Sequence, residues 1–199
     1  MSQTPVLLLL GVIAASSLNA QEVSNTSFSA PDGSRVLQQS LVIPATRAEL
    51  WAAFTTTEGI RSWAAPVVSA DFRLGGIWES SYSLKAKIGD SGNIKNQYLG
   101  YVPLHMVAIQ AIAAPPSFPS RELLVEIFTV IELDSLAPRQ TRVTISMMGY
   151  RSGTGFDAIY RHFEGGNAWS LQKLHERFVT GPVEWQKILS APKQPGALR

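Results

Sequence analysis

Cysteine is absent from all 199 residues. That excludes disulfides, thiolate nucleophiles and Cys-ligated zinc, and it leaves the redox compartment open. Histidine is scarce: His105, His162 and His175 are the only three. None sits at the spacing of a local metal motif such as His-Glu-x-x-His, so no metal site is expected. Charge is sparse as well, at 16% of residues, with a formal net charge of +2. No Lys/Arg run stands out, which argues against a nucleic-acid partner. No apolar run is long enough for a membrane span. There is no G-x-S-x-G elbow and no phosphate loop.

Apolar residues are plentiful, at 45%. The length suits one domain with a sizeable core. Residues 1–20 resemble an export signal. Val6 to Ala15 is apolar, small and polar residues follow, and Leu18-Asn19-Ala20 offers a small residue for cleavage. The expected organisation is a signal peptide over 1–20, a flexible Ser/Asn-rich leader over 21–33, one domain over 34–190 and a tail over 191–199. The expected location is periplasmic or secreted. Asn25-Thr26-Ser27 fits a glycosylation sequon, relevant only in a eukaryotic secretory path.

Periodicity sets the elements. Val36 to Ile43 alternates, with Leu37, Leu41 and Ile43 on one face. Pro44 stops it, and Thr46 with Glu49 forms a capping box for a short helix carrying Leu50, Trp51 and Phe54. A second short helix spans Glu58 to Trp63. Strands are expected over Val67–Leu74, Ile77–Leu84, Ile94–Val102, Met106–Ala113, Leu123–Leu133 and Thr141–Met148. The tail reads as helical, interrupted at Gly165-Gly166, with Asn167 capping a helix that carries Leu171, Leu174 and Phe178. A last turn or two covers Val183 to Leu189. Hairpin spacing makes the sheet antiparallel, and the C-terminal helix is its cover.

This order resembles the helix-grip fold of the START, birch-pollen-allergen and polyketide-cyclase superfamily. Within it, the chain is most similar to the family named after activators of the heat-shock-chaperone ATPase. The residues carrying the resemblance are Ala48 to Phe54 leading to Trp63, Phe72-Arg73-Leu74-Gly75-Gly76 before Trp78, and Phe163-Glu164-Gly165-Gly166-Asn167-Ala168-Trp169 ahead of Leu174. The resemblance implies an α+β fold: a curved antiparallel sheet of six or seven strands gripping a long C-terminal helix, with a hydrophobic cavity between. Lipid carriers, aromatic-ligand binders, cyclases and chaperone cofactors share that fold, so it names no reaction.

Strand parity aims Phe72, Trp78, Tyr82 and Tyr98 at the helix, together with Ile109, Ile127, Ile145 and Met147. With Leu171, Leu174, His175 and Phe178 they make the candidate ligand cavity. Tyr82 and Tyr98 offer hydroxyls, and Trp63, Trp78 and Trp169 offer flat surfaces for an aromatic guest. His105 and His162 read as surface residues, and His175 as the one histidine placed for acid/base work. Gly153-Thr154-Gly155-Phe156-Asp157-Ala158 fits a dinucleotide fingerprint in outline, but no parallel strand follows it, so the glycines read as a turn. Glu79, Glu126 and Glu132 fall on the outward face, which leaves no inward carboxylate for catalysis. The leading expectation is therefore an exported module that binds a small hydrophobic molecule without cofactor or metal. An enzyme of cyclase, dehydratase or hydrolase type using the same cavity is the alternative, and a stress-related protein-interaction partner is a third reading. The sequence sets no oligomeric state.

Overall fold

The computed structural model describes residues 22–190. The export-signal reading and the tail therefore lie outside the described residues. Two short strands, β1 (Ser24–Asn25) and β2 (Phe28–Ser29), pair antiparallel with β3 (Arg35–Ile43). The stretch read as a flexible leader thus docks on the sheet edge. The alternation of β3 buries Leu37, Gln39, Leu41 and Ile43 and leaves Gln38 and Ser40 half-buried.

Beyond Pro44 the capping box forms as expected. Glu49 N donates to Thr46 Oγ1 at 3.2 Å, and Thr46 N donates to Glu49 Oε2 at 2.8 Å. It opens α1 (Arg47–Thr55), and Thr56 caps α2 (Thr57–Arg61) by accepting from Gly59 N at 3.0 Å. Six strands follow: β4 (Val67–Ala70), β5 (Ile77–Ser81), β6 (Ile94–Val102), β7 (Met106–Ala113), β8 (Phe128–Ala137) and β9 (Gln140–Tyr150). Every pairing is antiparallel, in the order β1-β3-β9-β8-β7-β6-β5-β4, so β3 crosses from the start of the chain to lie beside the last strand. One long helix, α3 (Thr154–Val179), lies closest to β3 and then to β9. A short α4 (Trp185–Ser190) ends the described chain. It is anchored on α2: Val183 N donates to Ser62 O at 2.9 Å and Trp185 Nε1 to Arg61 O at 3.0 Å.

Four elements differ from their sequence reading. The strand expected over Val67–Leu74 stops at Ala70, and the one over Ile77–Leu84 stops at Ser81. In both cases the alternation runs on into a turn, where the regular ladder ends, although Asp71 N still donates to Ile77 O at 2.9 Å. Arg121–Glu126 forms a 3₁₀ turn, and its strand begins only at Phe128. The apparent period of two there places Leu124 in the core and leaves Val125 exposed. Finally, Gly165-Gly166 does not break α3, which runs for 26 residues. Tertiary packing at both ends of the helix overrides a local cost of about 1 kcal/mol per glycine.

Three substitutions test these supports. Gly149 has φ +99°, and a Cβ there would collide with the Glu126 carbonyl. Gly149→Ala is expected to cost about 3 kcal/mol in urea unfolding. Gly33→Ala, at φ +81° but in open space, is expected to cost about 1 kcal/mol. Thr46→Ala removes the cap and is expected to cost about 1 kcal/mol at neutral pH. The bonds from Thr46 hold the Glu49 carboxyl below its ordinary range. A depressed carboxyl stabilises above its unfolded pKa and loses that effect as pH falls through its folded one. The difference between wild type and Thr46→Ala should therefore narrow in unfolding curves taken below about pH 4.

Candidate ligand site under the C-terminal helix

Register places one continuous face of the sheet toward the helices. Leu37, Met147, Thr129, Ile109 and Tyr98 form one row across it, and Gln39, Ile145, Ile131 and Val107 form the next. Of the residues read as cavity lining, Ile109, Ile127, Ile145, Met147, Leu171 and Leu174 are all buried. Tyr98 is fully buried, and its hydroxyl donates to Phe54 O at 3.1 Å. Burial pushes its pKa up, so it is a fixed neutral donor. Trp78 is buried edge-on to Trp63 at 6.4 Å, with its Nε1 unpartnered. Phe178 is half-buried near the C-terminal end of α3.

Two strand side chains sit elsewhere than parity suggests. Phe72 lies in the turn after β4 and packs on Trp51, Tyr98 and Tyr101 at 5.5, 5.0 and 4.7 Å. It therefore belongs with α1, not under α3. Tyr82 lies past the end of β5, with Trp169 and Trp185 each 6.0 Å away. His175 is sixteen residues beyond Ile159, which turns it about 160° away from that buried side chain. It stands half-buried on a flank, where burial lowers its pKa. Among the described residues no carboxylate is hydrogen-bonded to it.

His162, read as a surface residue, is half-buried and meets the Phe118 ring edge-on at 4.5 Å. His105 is exposed, with Arg47 Nη1 3.0 Å from its ring. Glu79 does lie on the face opposite Trp78, beside Lys95, yet it is only 7% exposed. The loop after β5 folds over it, and Gly89 N and Asn93 Nδ2 each donate to its Oε1 at 2.6 Å. Its carboxylate is a clasp for that loop and does not face the helix.

The middle of α3 differs from its ends. Phe156, Ile159, Leu171 and Leu174 are buried. From His162 to Ser170 every residue is half-buried, whichever way it points. The inward stripe there reads Phe163, Gly166, Asn167 and Ser170. A Cβ built on Gly166 meets nothing within 4 Å. Asn167 Nδ2 donates to Met147 Sδ at 3.2 Å. Gln39, only 3% exposed, donates from Nε2 to Glu164 O at 3.1 Å and leaves Oε1 without a partner.

Aromatic rings stand at both ends of this stretch. Phe118, from the Pro-rich loop, meets Phe163 at 5.6 Å, and Tyr82, Trp169 and Trp185 meet one another at about 6 Å. Tyr82 is 41% exposed, yet desolvation pushes its hydroxyl up to about 12.

Sequence reasoning missed four residues here. Gln39 was legible from its parity with Leu37 and Leu41. Asn167 was hidden by treating the glycine pair as a break. Tyr101 joins the face of Tyr98 only because the register shifts between Tyr98 and Gly100. Arg177 lies eighteen residues after Ile159, five whole turns on, and so points the same way.

Two open hollows lie away from the mid-helix. One, of about 460 Å³, is lined by the loop after β5, including Ser83, Asp90 and Asn93. The other, of about 350 Å³, lies between α1, α2 and the end of α3.

Comparisons with known proteins agree with this architecture. The solution structure of an Aha1 dimer from Colwellia psychrerythraea superposes with a TM-score of 0.57 at 19% identity, covering 73% of this chain and 97% of that one. CalU16 from Micromonospora echinospora gives 0.57 at 16% identity, covering 84% and 79%. Protein MLL2253 from Mesorhizobium loti gives 0.56 at 19%, covering 71% and 95%. At such identities the likeness is one of fold. No match is found among curated proteins. The family described as Activator of Hsp90 ATPase homolog 1-like protein matches residues 44–178, about two-thirds of the chain. The chain belongs to that family.

Proposed function

We propose that this protein is a binding module for a small hydrophobic molecule, lipid-like or aromatic, held between the sheet and the middle of α3. The observation that carries this reading is the half-buried stretch from His162 to Ser170, with open space beside Gly166. Trp78, Ile109, Ile145 and Met147 give the guest an apolar floor, and Leu171 and Leu174 close one end. Tyr82 with Trp169, and Phe118 with Phe163, flank the entrance. Burial of apolar surface at about 25 cal/mol per Å² supplies the affinity. The enzyme alternative needs an inward acid. On β3 and β5 to β9 the inward polar residues include Gln39, Ser80, Asn96, Thr129, Ser135 and Thr141, none of them a carboxylate, and Arg35 reaches Asp157 of α3 at 2.7 Å.

Substitution at Gly166 tests the reading. Gly166→Ala removes a helix-interior glycine without a clash and is expected to stabilise the fold by about 0.5–1 kcal/mol. Gly166→Phe fills the open space. It is expected to weaken binding of a fluorescent hydrophobic probe to delipidated protein about tenfold or more, while the far-ultraviolet spectrum stays native. Unchanged binding by Gly166→Phe would place the probe elsewhere. No probe binding by the wild type, together with no adduct in native mass spectrometry, would end the proposal.

Export belongs to the same proposal, supported by the Val6–Ala15 run and the small residue at Ala20. Protein recovered from the periplasm or medium of the source cell should begin at Gln21 by intact mass. A mass retaining Met1 would refute cleavage.

A further inference from the structure

The hollow of about 350 Å³ between α1, α2 and the last turns of α3 is separate from the mid-helix site, and its lining is chemically odd. Ala52, Ala53 and Phe178 give it apolar walls, and Arg177 gives it a cation. Arg177 follows Leu174 by one turn on the inward stripe, where an apolar residue is the ordinary choice. It is half-buried, and its Nε is buried with no partner. Its guanidinium lies over the Phe178 ring at 5.3 Å. Among the described residues no carboxylate or carbonyl pairs with it. The one acid in the hollow, Glu49, is already taken by the backbone and hydroxyl of Thr46, each at 2.8 Å, and by Arg139 at 3.1 Å. A half-buried cation among apolar walls without a counter-charge is costly; its planar fork of N–H donors matches a carboxylate, and the apolar walls favour an organic acid over a free phosphate.

We infer that this hollow binds a small organic carboxylate, with the acid group on Arg177 and a short apolar or aromatic body against Ala52, Ala53 and Phe178. The hollow opens to solvent between α1 and α3, so the guest enters without passing the mid-helix site. Arg139 stands at the same rim and adds a second positive charge, partly offset by Glu49. A charge-assisted bond to the guanidinium is worth about 1.5–3 kcal/mol, which is roughly a ten- to hundredfold preference for the acid over a neutral mimic of the same shape.

Benzoate and benzamide are the probes, titrated into the full-length protein by calorimetry and followed by thermal shift. Benzoate is expected to bind at least tenfold more tightly than benzamide and to raise the melting temperature as its concentration increases. Its affinity should fall as salt is added. Arg177→Met keeps the apolar stem and removes the charge. It is expected to lose benzoate binding at least tenfold, while the unliganded variant melts no lower than wild type, since an unpaired charge has gone. Gly166→Phe, which blocks the mid-helix site, is expected to bind benzoate as the wild type does. Equal binding of benzoate and benzamide to the wild type would overturn the inference, and so would no binding up to about 10 mM. Retention of benzoate by folded Arg177→Met would overturn it too. Loss of benzoate in Gly166→Phe would move the guest to the mid-helix site and overturn it as well. Arg177→Met melting below wild type would show that Arg177 also supports the fold, and the wild-type preference for benzoate over benzamide then decides the inference.

Discussion

A single helix must cover the concave face of a wide antiparallel sheet, and everything else about the molecule follows from how it does so. Helix α3 is fastened by its ends. Phe156 and Ile159 bury the first turns, and Leu171 and Leu174 the later ones, over a floor that includes Leu37, Leu41, Val143 and Ile145. Between those anchors the inward stripe turns small and polar. A helix fixed at two apolar ends bridges its middle, because dispersion contacts act only over ångströms and the glycine pair brings none. The pattern of anchor, glycine and anchor therefore holds the middle of α3 to the sheet less tightly than its ends.

The rest of the fold supports that bridge. The crossing of β3 to the side of β9 supplies the strand on which α3 rests. The pieces at Ser24–Asn25 and Phe28–Ser29 extend the same edge, and Asn25 Nδ2 reaches Glu164 Oε1 on the helix at 3.1 Å. At the opposite end, α1 and α2 pack on the sheet through Leu50, Phe54 and Ile60, with Trp63 Nε1 bonded to Ala53 O at 2.9 Å. Because Val183 and Trp185 hang from α2, the C-terminal end of α3 is tied to the short helices as well as to the sheet. Movement of α2 would then be felt at Arg177 and at Trp169 together.

Much of this was legible in the sequence, and the parts that were not share a cause. The strands over Ile94–Val102 and Met106–Ala113 are found at the expected bounds, since alternation, turn residues and hairpin spacing all agree there. The capping box was legible for a similar reason: Thr46 and Glu49 act locally. Failures came where alternation outlasted the partner strand, at Phe72, Tyr82 and Leu123. Period alone reports which way a side chain would point in a strand, not whether a neighbouring strand exists to pair with it. The helix failed differently. Gly165-Gly166 has the local cost of a break, yet burial at both ends of α3 outweighs it, and that burial depends on residues more than a hundred positions away in β3. Of the site, the apolar floor was readable from parity. Gln39 and Arg177 were not singled out, because the reading looked for apolar residues on inward faces and passed over the polar ones.

Those polar exceptions are where this chain's individuality lies. An apolar floor beneath a bridging helix is common to a fold that serves many functions, so it cannot discriminate between guests. Discrimination comes from the few groups that water cannot reach. A buried acceptor without a donor, as at Gln39 Oε1, costs about 1–3 kcal/mol until something satisfies it, and Trp78 Nε1 poses the same demand with the opposite sign. Neither atom touches open space in the unliganded protein. A guest that meets either one must therefore displace neighbouring side chains, and specificity at the mid-helix site is coupled to repacking beneath α3. Arg177 differs because its side chain lines a hollow that is already open, although its Nε is itself buried. The two proposed places differ in kind: one is lined mainly by apolar side chains, and the other sets a cation beside an open hollow.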